Sequence, residues 1–194
     1  MIGGVVLAAG GGRRFGGAKL AARLDGWSVL DRALAAMLAV PAIERIVVVL
    51  GAHADEVRAA ADLGAVETVV CEDWDEGIAA SLRAGLEPLA DAAAVVVTLG
   101  DQPFITPQVI AAILDRADGP APAARATYRG RPGHPVLIKR QLFGEVRSLR
   151  GDAGARDLLA AAGVLELECG HLCPDQDIDT PADLEAARRL VTRG

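Results

Sequence analysis

Short apolar runs alternate with amphipathic stretches from about residue 5 to residue 117. Buried strands are predicted where apolar residues run together, at residues 5–7, 46–50, 66–70 and 93–99. Helices are predicted between and after them, from about residue 28 and at 55–63, 77–89 and 106–117. This alternation predicts a mostly parallel sheet, with its binding loops at the carboxyl ends of the strands.

Two helix starts are marked by capping residues. Ser28 is a predicted N-cap, with Asp31 near the positive end of the helix dipole. Thr180, Pro181 and Asp183 combine an N-cap, a first-turn proline and an acidic third position, so the last helix is predicted to begin at Pro181. A helix that begins there fixes the geometry of the residues just before it.

The regular alternation is lost after residue 119. Residues 125–128 and 136–138 are predicted to be short strands around a turn at 130–133, and a helix is predicted at 141–147. We therefore expect a small antiparallel excursion that covers the mouth of the sheet. Residues 1–194 are predicted to form a single α/β domain, because this length suits one well-buried core.

Composition and charge exclude several classes of protein. Apolar residues make up 52% of the chain and aromatic residues 3%, which favours helices packed tightly on a sheet. The formal net charge of -6 argues against nucleic acid as a partner, because nucleic-acid surfaces need a basic excess. No apolar stretch has the length of a membrane span, so we expect a cytoplasmic protein with no membrane partner.

The three cysteines indicate neither a disulfide scaffold nor a strong metal site. Cys71, Cys169 and Cys173 cannot all pair with one another, which fits a reducing compartment. Cys169, His171 and Cys173 are closely spaced, as zinc ligands can be, but no second ligand pair stands at a recognisable spacing elsewhere. Zinc binding is therefore disfavoured.

A glycine-rich loop follows the first predicted strand. The backbone N–H groups of Gly10, Gly11 and Gly12 can form a concavity that binds an anion, and Arg14 and Lys19 add positive charge. The loop is not a Walker motif, because the lysine does not directly follow a glycine and no serine or threonine follows it. The simpler alternative is a glycine-rich turn with exposed basic residues.

Acidic residues follow the strand predicted at 93–99 and precede the last helix. Asp101 stands at the carboxyl end of a strand that should be central. Magnesium prefers a few carboxylate oxygens together with substrate phosphate oxygens, which suits Asp101 and one distant acid. Asp177 or Asp179 supplies that second acid. An ordinary turn at Asp101 and an ordinary helix cap are the alternatives.

Several short motifs occur in order along the chain. They are Leu-Ala-Ala-Gly at 7–10, Arg-Phe-Gly at 14–16, Lys19, Gly-Asp-Gln-Pro at 100–103, Gly-His-Pro at 133–135, Gly-Asp-Ala-Gly-Ala-Arg at 151–156 and Asp-Thr-Pro at 179–181. Together they resemble the motifs of the molybdenum cofactor cytidylyltransferases and related MobA-like nucleotidyltransferases. A segment at 74–85 resembles the part of these enzymes that closes over the ribose and base. Gly12 and Phe15 stand where this family often has serine and methionine.

The resemblance implies a single-domain, Rossmann-like, mostly parallel three-layer nucleotidyltransferase fold and a role for each motif residue. The implied catalytic residues are Arg14, Lys19 and Asp101. The implied magnesium ligands are Asp101 and Asp179, with Asp177 as a supporting acid. The implied nucleotide-binding residues are Leu7, Ala8, Ala9, Gly10, Gly11, Gly12, Lys19, Gly77, Ser81 and Gly100. The implied acceptor-binding residues are His134, Asp152 and Arg156.

The implied reaction is attack by the phosphate of molybdenum-loaded molybdopterin on the α-phosphorus of CTP. Its products would be molybdopterin cytosine dinucleotide and pyrophosphate, and Mg²⁺ would be the cofactor. One alternative is a guanylyl- or uridylyltransferase that acts on another phosphorylated metabolite. A second is a non-catalytic nucleotide-binding module that delivers cofactor. Transient contact with a molybdenum hydroxylase or its chaperone is a further expectation.

Overall fold

A computed structural model describes residues 1–151, 154–174 and 176–192. The strands within these residues are β1 Ile2–Ala8, β2 Arg23–Leu24, β3 Trp27–Ser28, β4 Arg45–Leu50, β5 Glu67–Val70, β6 Ala94–Leu99, β7 Ala123–Tyr128, β8 Arg131–Lys139 and β9 Leu165–Glu168. The α-helices are α1 Val29–Leu38, α2 Ala54–Ala60, α3 Ile78–Leu86, α4 Pro107–Leu114, α5 Phe143–Ser148, α6 Gly154–Ala162 and α7 Pro181–Val191. Short 3-10 helices lie at Lys19–Ala21, Trp74–Glu76, Glu87–Leu89 and Arg140–Leu142.

The main sheet has seven strands in the order β5-β4-β1-β6-β8-β7-β9, and β2 pairs with β3 in a separate antiparallel ribbon. Strands β5, β4, β1 and β6 run parallel, with β1 between β4 and β6. Strand β8 is antiparallel to both of its neighbours, and β9 is parallel to β7. The predicted mostly parallel sheet is therefore confirmed, and its antiparallel part lies in the same sheet.

Alternate residues of β1 face two separate hydrophobic cores. Val6 and Ala8 pack into the core formed with α1, α2, α4 and α7. Val5 and Leu7 pack into the core formed with α3, α5 and α6. Side chains of successive strand residues point to opposite faces, so continuous apolar runs are what a sheet covered by helices on both sides requires. This arrangement is the three-layer fold that the sequence predicted.

Both predicted helix starts are confirmed. The Ser28 hydroxyl accepts a hydrogen bond from the Asp31 N–H at 3.0 Å, and the Asp31 carboxylate accepts one from the Ser28 N–H at 3.0 Å. Helix α7 begins at Pro181, where Thr180 and Asp183 make the same reciprocal contacts. Each pair satisfies N–H groups that an isolated helix leaves without partners.

The turn between β7 and β8 is shorter than predicted. It comprises Arg129 and Gly130, whose φ angles are 54° and 73°, and not residues 130–133. Two positive φ angles are typical of a tight hairpin turn that follows the twist of its strands. The predicted turn residues thus belong to β8. We had expected the hairpin to cover the mouth of the sheet. Instead, its two strands extend the sheet.

Prolines account for the missed length of β8. Pro132 and Pro135 lie in this strand, and proline cannot donate a hydrogen bond to a strand ladder. The register between β7 and β8 shifts between Arg125 and Thr127, and the pairing of β6 with β8 begins only at Val136. The strand tolerates its prolines because they lie beside this irregularity.

Several other helix boundaries differ from prediction. The helix predicted at 77–89 divides into α3 and a 3-10 helix, because Pro88 cannot donate to the carbonyl four residues earlier. Helix α2 ends at Ala60, and the helix predicted at 141–147 divides into a 3-10 turn and α5.

In the part of the chain that is described, no helix has the length and apolar character needed to cross a membrane.

Candidate active site

A cleft of about 550 Å³ opens at the carboxyl ends of β1 and β6. Parallel sheets place their binding loops at this edge, as the sequence led us to expect. The cleft is lined by Leu7, Ala8, Ala9, Gly10, Gly11, Gly12, Arg13, Arg14, Lys19, Leu20, Trp74, Asp75, Gly77, Ile78, Ser81, Leu99, Asp101 and Asp179.

The glycine loop forms one wall of the cleft and is folded tightly on itself. The Gly12 carbonyl accepts hydrogen bonds from the N–H groups of Phe15 and Gly16, at 3.0 and 2.9 Å. Gly12 has a φ of 57°, and a Cβ there would lie 2.0 Å from the Gly17 carbonyl oxygen. Within the described chain, the N–H groups of residues 10–14 donate to no protein acceptor. Free N–H groups in a concave loop are suited to binding phosphate.

Trp74, Gly77 and Ser81 form the facing wall. The Trp74 ring packs against Gly11, where a Cβ would lie 2.9 Å from it. Gly77 has a φ of 108° and is the N-cap of α3, on which Ser81 is buried and lines the cleft. Ser81 also hydrogen-bonds Cys71, whose thiol pKa is raised mainly by burial. The predicted nucleoside segment therefore lies opposite the predicted phosphate loop.

Four charged side chains form a network at the base of the cleft. The Lys19 ammonium lies 2.5 Å from Asp101 Oδ2 and 3.0 Å from Asp179 Oδ1. Arg14 Nη2 donates to Asp179 Oδ2 at 2.8 Å. Burial acts to lower the pKa of Lys19, but the charges and hydrogen bonds of the two aspartates outweigh it and raise that pKa. Lys19 is therefore a stable cation between two carboxylates.

The second oxygen of Asp101 is suited to binding a cation. Oδ1 is buried and has no hydrogen-bond partner among the described residues. Burying a carboxylate oxygen without a hydrogen-bond donor costs folding free energy, unless a cation or another donor binds to it. The described residues contain no group of three or more His, Cys, Asp or Glu side chains that could hold a metal. Two carboxylates that share an ion with substrate phosphates are the donor set typical of magnesium.

The chain segment that carries Asp179 is fixed to the end of β6. The Ile178 N–H donates to the Asp101 carbonyl at 2.9 Å. Gln102 Nε2 donates to Asp177 Oδ1 at 2.8 Å. Asp177 does not line the cleft, whereas Asp179 does. The structure thus places Asp179 beside Lys19 and gives Asp177 a contact that anchors the same segment.

Gly100 differs from the other predicted nucleotide-binding residues, because it does not line the cleft. Its N–H donates to the Leu7 carbonyl at 2.9 Å. A Cβ at this position would lie 3.1 Å from the Leu30 side chain and 3.3 Å from that of Ala8. Gly100 therefore packs behind the cleft, where its small size lets the turn before Asp101 lie close to β1.

The three predicted acceptor-binding residues are not brought into the cleft. His134 lines a small, mostly apolar cavity of about 40 Å³, two of whose other lining residues, Leu7 and Ile78, also line the cleft. Burial lowers the pKa of His134 to about 4, so its imidazole is neutral at physiological pH. Arg156 is exposed on α6, and Asp152 lies outside the described residues.

The segment before Asp152 nonetheless contacts the nucleotide side of the cleft. The Gly151 carbonyl accepts a hydrogen bond from the Ala79 N–H, in the first turn of α3, at 3.3 Å. A helix start carries N–H groups that need acceptors, and this carbonyl satisfies one of them. The predicted acceptor motif is therefore attached to the helix that carries Ser81.

Two charged residues of the cleft lining were not among the predicted site residues. Arg13 lines the cleft and is exposed, but it occupies a position that the resembling motif leaves variable. Asp75 lines the opposite wall. Their place beside recognised motif residues was the one available signal. Elsewhere, Cys169 and Cys173 are buried in the core while His171 is exposed, so the three residues whose spacing resembled that of zinc ligands do not share one environment.

A glycine loop at the end of a parallel strand, facing paired aspartates and a lysine, defines a nucleotide-binding α/β protein of the transferase type. The chain belongs to the family of MobA-like NTP transferase domains, whose family model matches residues 4–167. It is therefore a nucleotidyltransferase, as the motifs predicted.

Two relatives match almost the whole chain. The chain is 35% identical to a protein named nicotine blue oxidoreductase from Paenarthrobacter nicotinovorans, over 91% of each chain. It is 31% identical to the purine catabolism protein PucB of Bacillus subtilis strain 168, over 97% of each chain.

Solved structures of one mycobacterial protein share this fold and a third of the sequence. Rv0371c from Mycobacterium tuberculosis H37Rv matches with a TM-score of 0.87 and 34% identity, over 97% of both chains. A complex of Rv0371c with manganese matches with a TM-score of 0.82 and 32% identity, over 97% of this chain and 98% of that one.

Proposed function

We propose that the protein catalyses magnesium-dependent transfer of CMP from CTP to the phosphate of a molybdopterin-type acceptor, with release of pyrophosphate. One observation carries the proposal. Lys19, Asp101 and Asp179 meet at the base of a cleft whose wall is a loop of free backbone N–H groups. Such a site can hold a triphosphate together with the cation that accompanies it.

The chain's own residues supply binding, orientation and positive charge. The N–H groups of the glycine loop would bind the phosphates, while Lys19 and Arg14 would offset charge that develops on the transferred and departing groups. Asp101 and Asp179 would hold magnesium, which offsets and polarises the phosphate charge when bound. The attacking acceptor phosphate is already an anion, so no general base is required.

Two observations favour binding of a divalent cation. The first is the buried Asp101 Oδ1, which has no donor among the described residues. The second is the manganese complex of Rv0371c, a protein 32% identical to this chain. Manganese and magnesium both prefer carboxylate and phosphate oxygens. Magnesium is therefore the cation that we assign to this site.

The choice of CTP and of a molybdopterin-type acceptor is based on the motifs at 100–103, 133–135 and 151–156. The cavity beside His134 adjoins the cleft through Leu7 and Ile78, and at about 40 Å³ it has room for only a small part of an acceptor next to the bound nucleotide. A neutral His134 imidazole would offer one donor and one acceptor to such a ligand. Transient contact with a molybdenum hydroxylase or its chaperone remains part of the proposal.

Adduct formation with each nucleoside triphosphate tests donor and acceptor together. The purified protein is incubated with magnesium, molybdenum-loaded molybdopterin and CTP, GTP, UTP or ATP in turn, and the product is identified by mass. We expect a cytidine adduct and stoichiometric pyrophosphate. A guanosine or uridine adduct would replace the cytidylyl assignment, and triphosphate binding without pyrophosphate release would favour a non-catalytic delivery module.

The name of the Paenarthrobacter relative calls for one further arm of this experiment. That protein is named an oxidoreductase, and it is 35% identical to this chain. The same preparation is therefore mixed with a reduced nicotinamide cofactor and an electron acceptor. We expect no cofactor oxidation above that of a heat-inactivated sample. The cleft contains a glycine loop, a lysine and paired aspartates, which are suited to binding phosphates and a cation.

A further inference from the structure

The segment between β4 and α2 holds the glycine loop from behind at two points. The Ala52 N–H donates to the Ala9 carbonyl at 3.2 Å. His53 Nε2 lies 3.2 Å from the Gly11 carbonyl oxygen. Gly51 allows this close approach, because a Cβ there would lie 2.5 Å from the Ala9 oxygen. Two alternate carbonyls of the loop are thus bound by consecutive residues.

These contacts set the direction of two N–H groups. In a trans peptide the C=O and N–H bonds point in opposite directions. Because the Ala9 and Gly11 carbonyls point towards Ala52 and His53, the N–H groups of Gly10 and Gly12 point away from that segment. Gly10 and Gly12 both line the cleft, whose lining includes neither Ala52 nor His53. The contacts therefore present two donors on the side where phosphate would bind.

The partners of His53 determine its protonation. Nδ1 lies 2.9 Å from Glu56 Oε1, and Nε2 faces the Gly11 carbonyl. Both partners are acceptors, whereas a neutral imidazole carries only one N–H and would turn a lone pair towards one of them. Only the imidazolium form can donate to both. His53 is three-quarters buried by its surroundings, with 25% of its side chain exposed.

The energetics agree with this geometry. The hydrogen bond to Glu56 is the largest influence, and together with the Gly11 carbonyl it outweighs partial burial and raises the pKa of His53 above its ordinary value of 6.5. Glu56 is the charged group of α2 that faces the ring, and the loop presents the neutral Gly11 carbonyl to it. The imidazolium form is therefore lost as pH rises through this raised pKa.

We propose that His53 is a positioning residue of the triphosphate site: its imidazolium fixes the Gly11–Gly12 peptide and adds a positive charge behind the glycine loop. The inference rests on the proposed function for the identity of the ligand. Protonation of His53 and binding of a triphosphate favour each other, because each stabilises the same arrangement of the loop. Triphosphate affinity thus depends on the protonation of a residue that does not touch the ligand.

Binding of a non-reactive CTP analogue with an α,β-methylene bridge tests this inference without requiring catalysis. Calorimetry measures its dissociation constant with magnesium between about pH 6 and pH 9, a range that includes the ordinary imidazole pKa of 6.5 and the values above it. His53→Gln is expected to weaken binding about tenfold at the low end, the effect of losing one hydrogen bond from a charged donor. It should also remove the extra loss of affinity that wild type shows as pH rises.

Two further variants separate loop positioning from damage to the fold. Glu56 has 63% of its side chain exposed, so Glu56→Gln should fold normally, lower the pKa of His53 and shift the loss of affinity to lower pH. His171 is exposed and lies outside the cleft, so His171→Gln is the matched control and should bind as wild type does. The chain has three histidines, which allows each imidazole to be followed by NMR.

The outcomes distinguish failure of this inference from failure of the proposed function. His53→Gln with wild-type affinity at every pH would overturn the inference, and so would a His53 imidazole that titrates at or below its ordinary pKa. Wild-type protein that binds the analogue but forms no adduct from CTP would overturn the proposed function alone. Wild-type protein that binds no triphosphate would overturn both.

Discussion

The Lys19 ammonium lies 2.5 Å from Asp101 Oδ2, while the other oxygen of the same carboxylate, Oδ1, is buried without a hydrogen-bond partner in the described chain. One side of Asp101 is therefore held by a fixed cation, and the other side is available to a second one. This division would let Lys19 and the proposed magnesium ion share one aspartate without competing for the same oxygen.

Asp101→Asn is expected to lower the rate of pyrophosphate release by at least about a hundredfold, the usual cost of removing one electrostatic group from a transition state. The amide has nearly the same volume, so thermal unfolding should change little. Initial rates at saturating magnesium measure the effect. Asp177→Asn is the matched control, because Asp177 contacts Gln102 outside the cleft, and it should lose much less. Wild-type turnover by Asp101→Asn would contradict the metal assignment.

Lys19→Ala and Arg14→Ala should both depress the single-turnover rate strongly, whereas Arg13→Ala should depress it much less. Lys19 and Arg14 both contact Asp179, so they belong to the network at the base of the cleft. Arg13 lines the cleft but contributes no contact to that network. Rapid-quench measurement of the three variants tests the order. If Arg13→Ala proved the most damaging, the assignment of the loop arginines would be shifted by one residue.

Much of the site could be predicted from the sequence because its residues directly follow apolar strands or directly precede a helix cap. The glycine loop follows a continuous apolar strand, and Asp101 follows another. The Thr180 and Asp183 capping pair fixed the start of α7, and with it the position of Asp179. These features depend on short stretches of chain whose conformations the local residues determine.

The parts that were missed depend on contacts between distant segments. Gly100 was predicted to bind the nucleotide, yet it does not line the cleft and lies close to Leu30 of α1. His53 stands in no motif, and only the pairing of β4 with β1 brings it to the glycine loop. Strand β9 was missed although its leucine and glutamate residues alternate; its four residues are the shortest alternation that indicates a strand, and it pairs with the distant β7.

Gly12→Ala is expected to abolish triphosphate binding, and Gly17→Ala is expected to preserve it. Alanine at position 12 would need a φ near 57°, which costs about 1–2 kcal/mol, and its Cβ would meet the Gly17 carbonyl oxygen at 2.0 Å. Gly17 has open space around its Cβ position and no positive φ. Binding of the methylene analogue to each variant measures the difference. Equal affinities would show that the observed loop conformation is not the one that binds.

Glu168 joins the β7–β8 hairpin to the end of β9. Its carboxylate accepts hydrogen bonds from the N–H groups of Arg129, Gly130 and Gly170, at 3.0, 3.1 and 3.0 Å. The hydroxyl of Thr127 donates to it as well, at 3.1 Å. These donors, with Arg129 the largest influence, lower the pKa of Glu168 from 4.5 to about 2. Only the ionised carboxylate can accept all four hydrogen bonds.

The lowered pKa predicts an acid-sensitive contribution of Glu168 to stability. A carboxyl group whose pKa is lower in the folded state stabilises the fold fully at pH values above its ordinary pKa of 4.5. This stabilisation is lost as the pH falls through the folded-state pKa of about 2. Glu168→Gln should therefore unfold at a lower temperature than wild type at neutral pH, and the two should converge in acid. Glu185→Gln removes only a surface contact to Arg188 and is the matched control. The unfolding temperatures of all three proteins are measured by circular dichroism from neutral pH into the acid range. A difference between Glu168→Gln and wild type that does not change with pH would contradict the assigned role of the Glu168 charge.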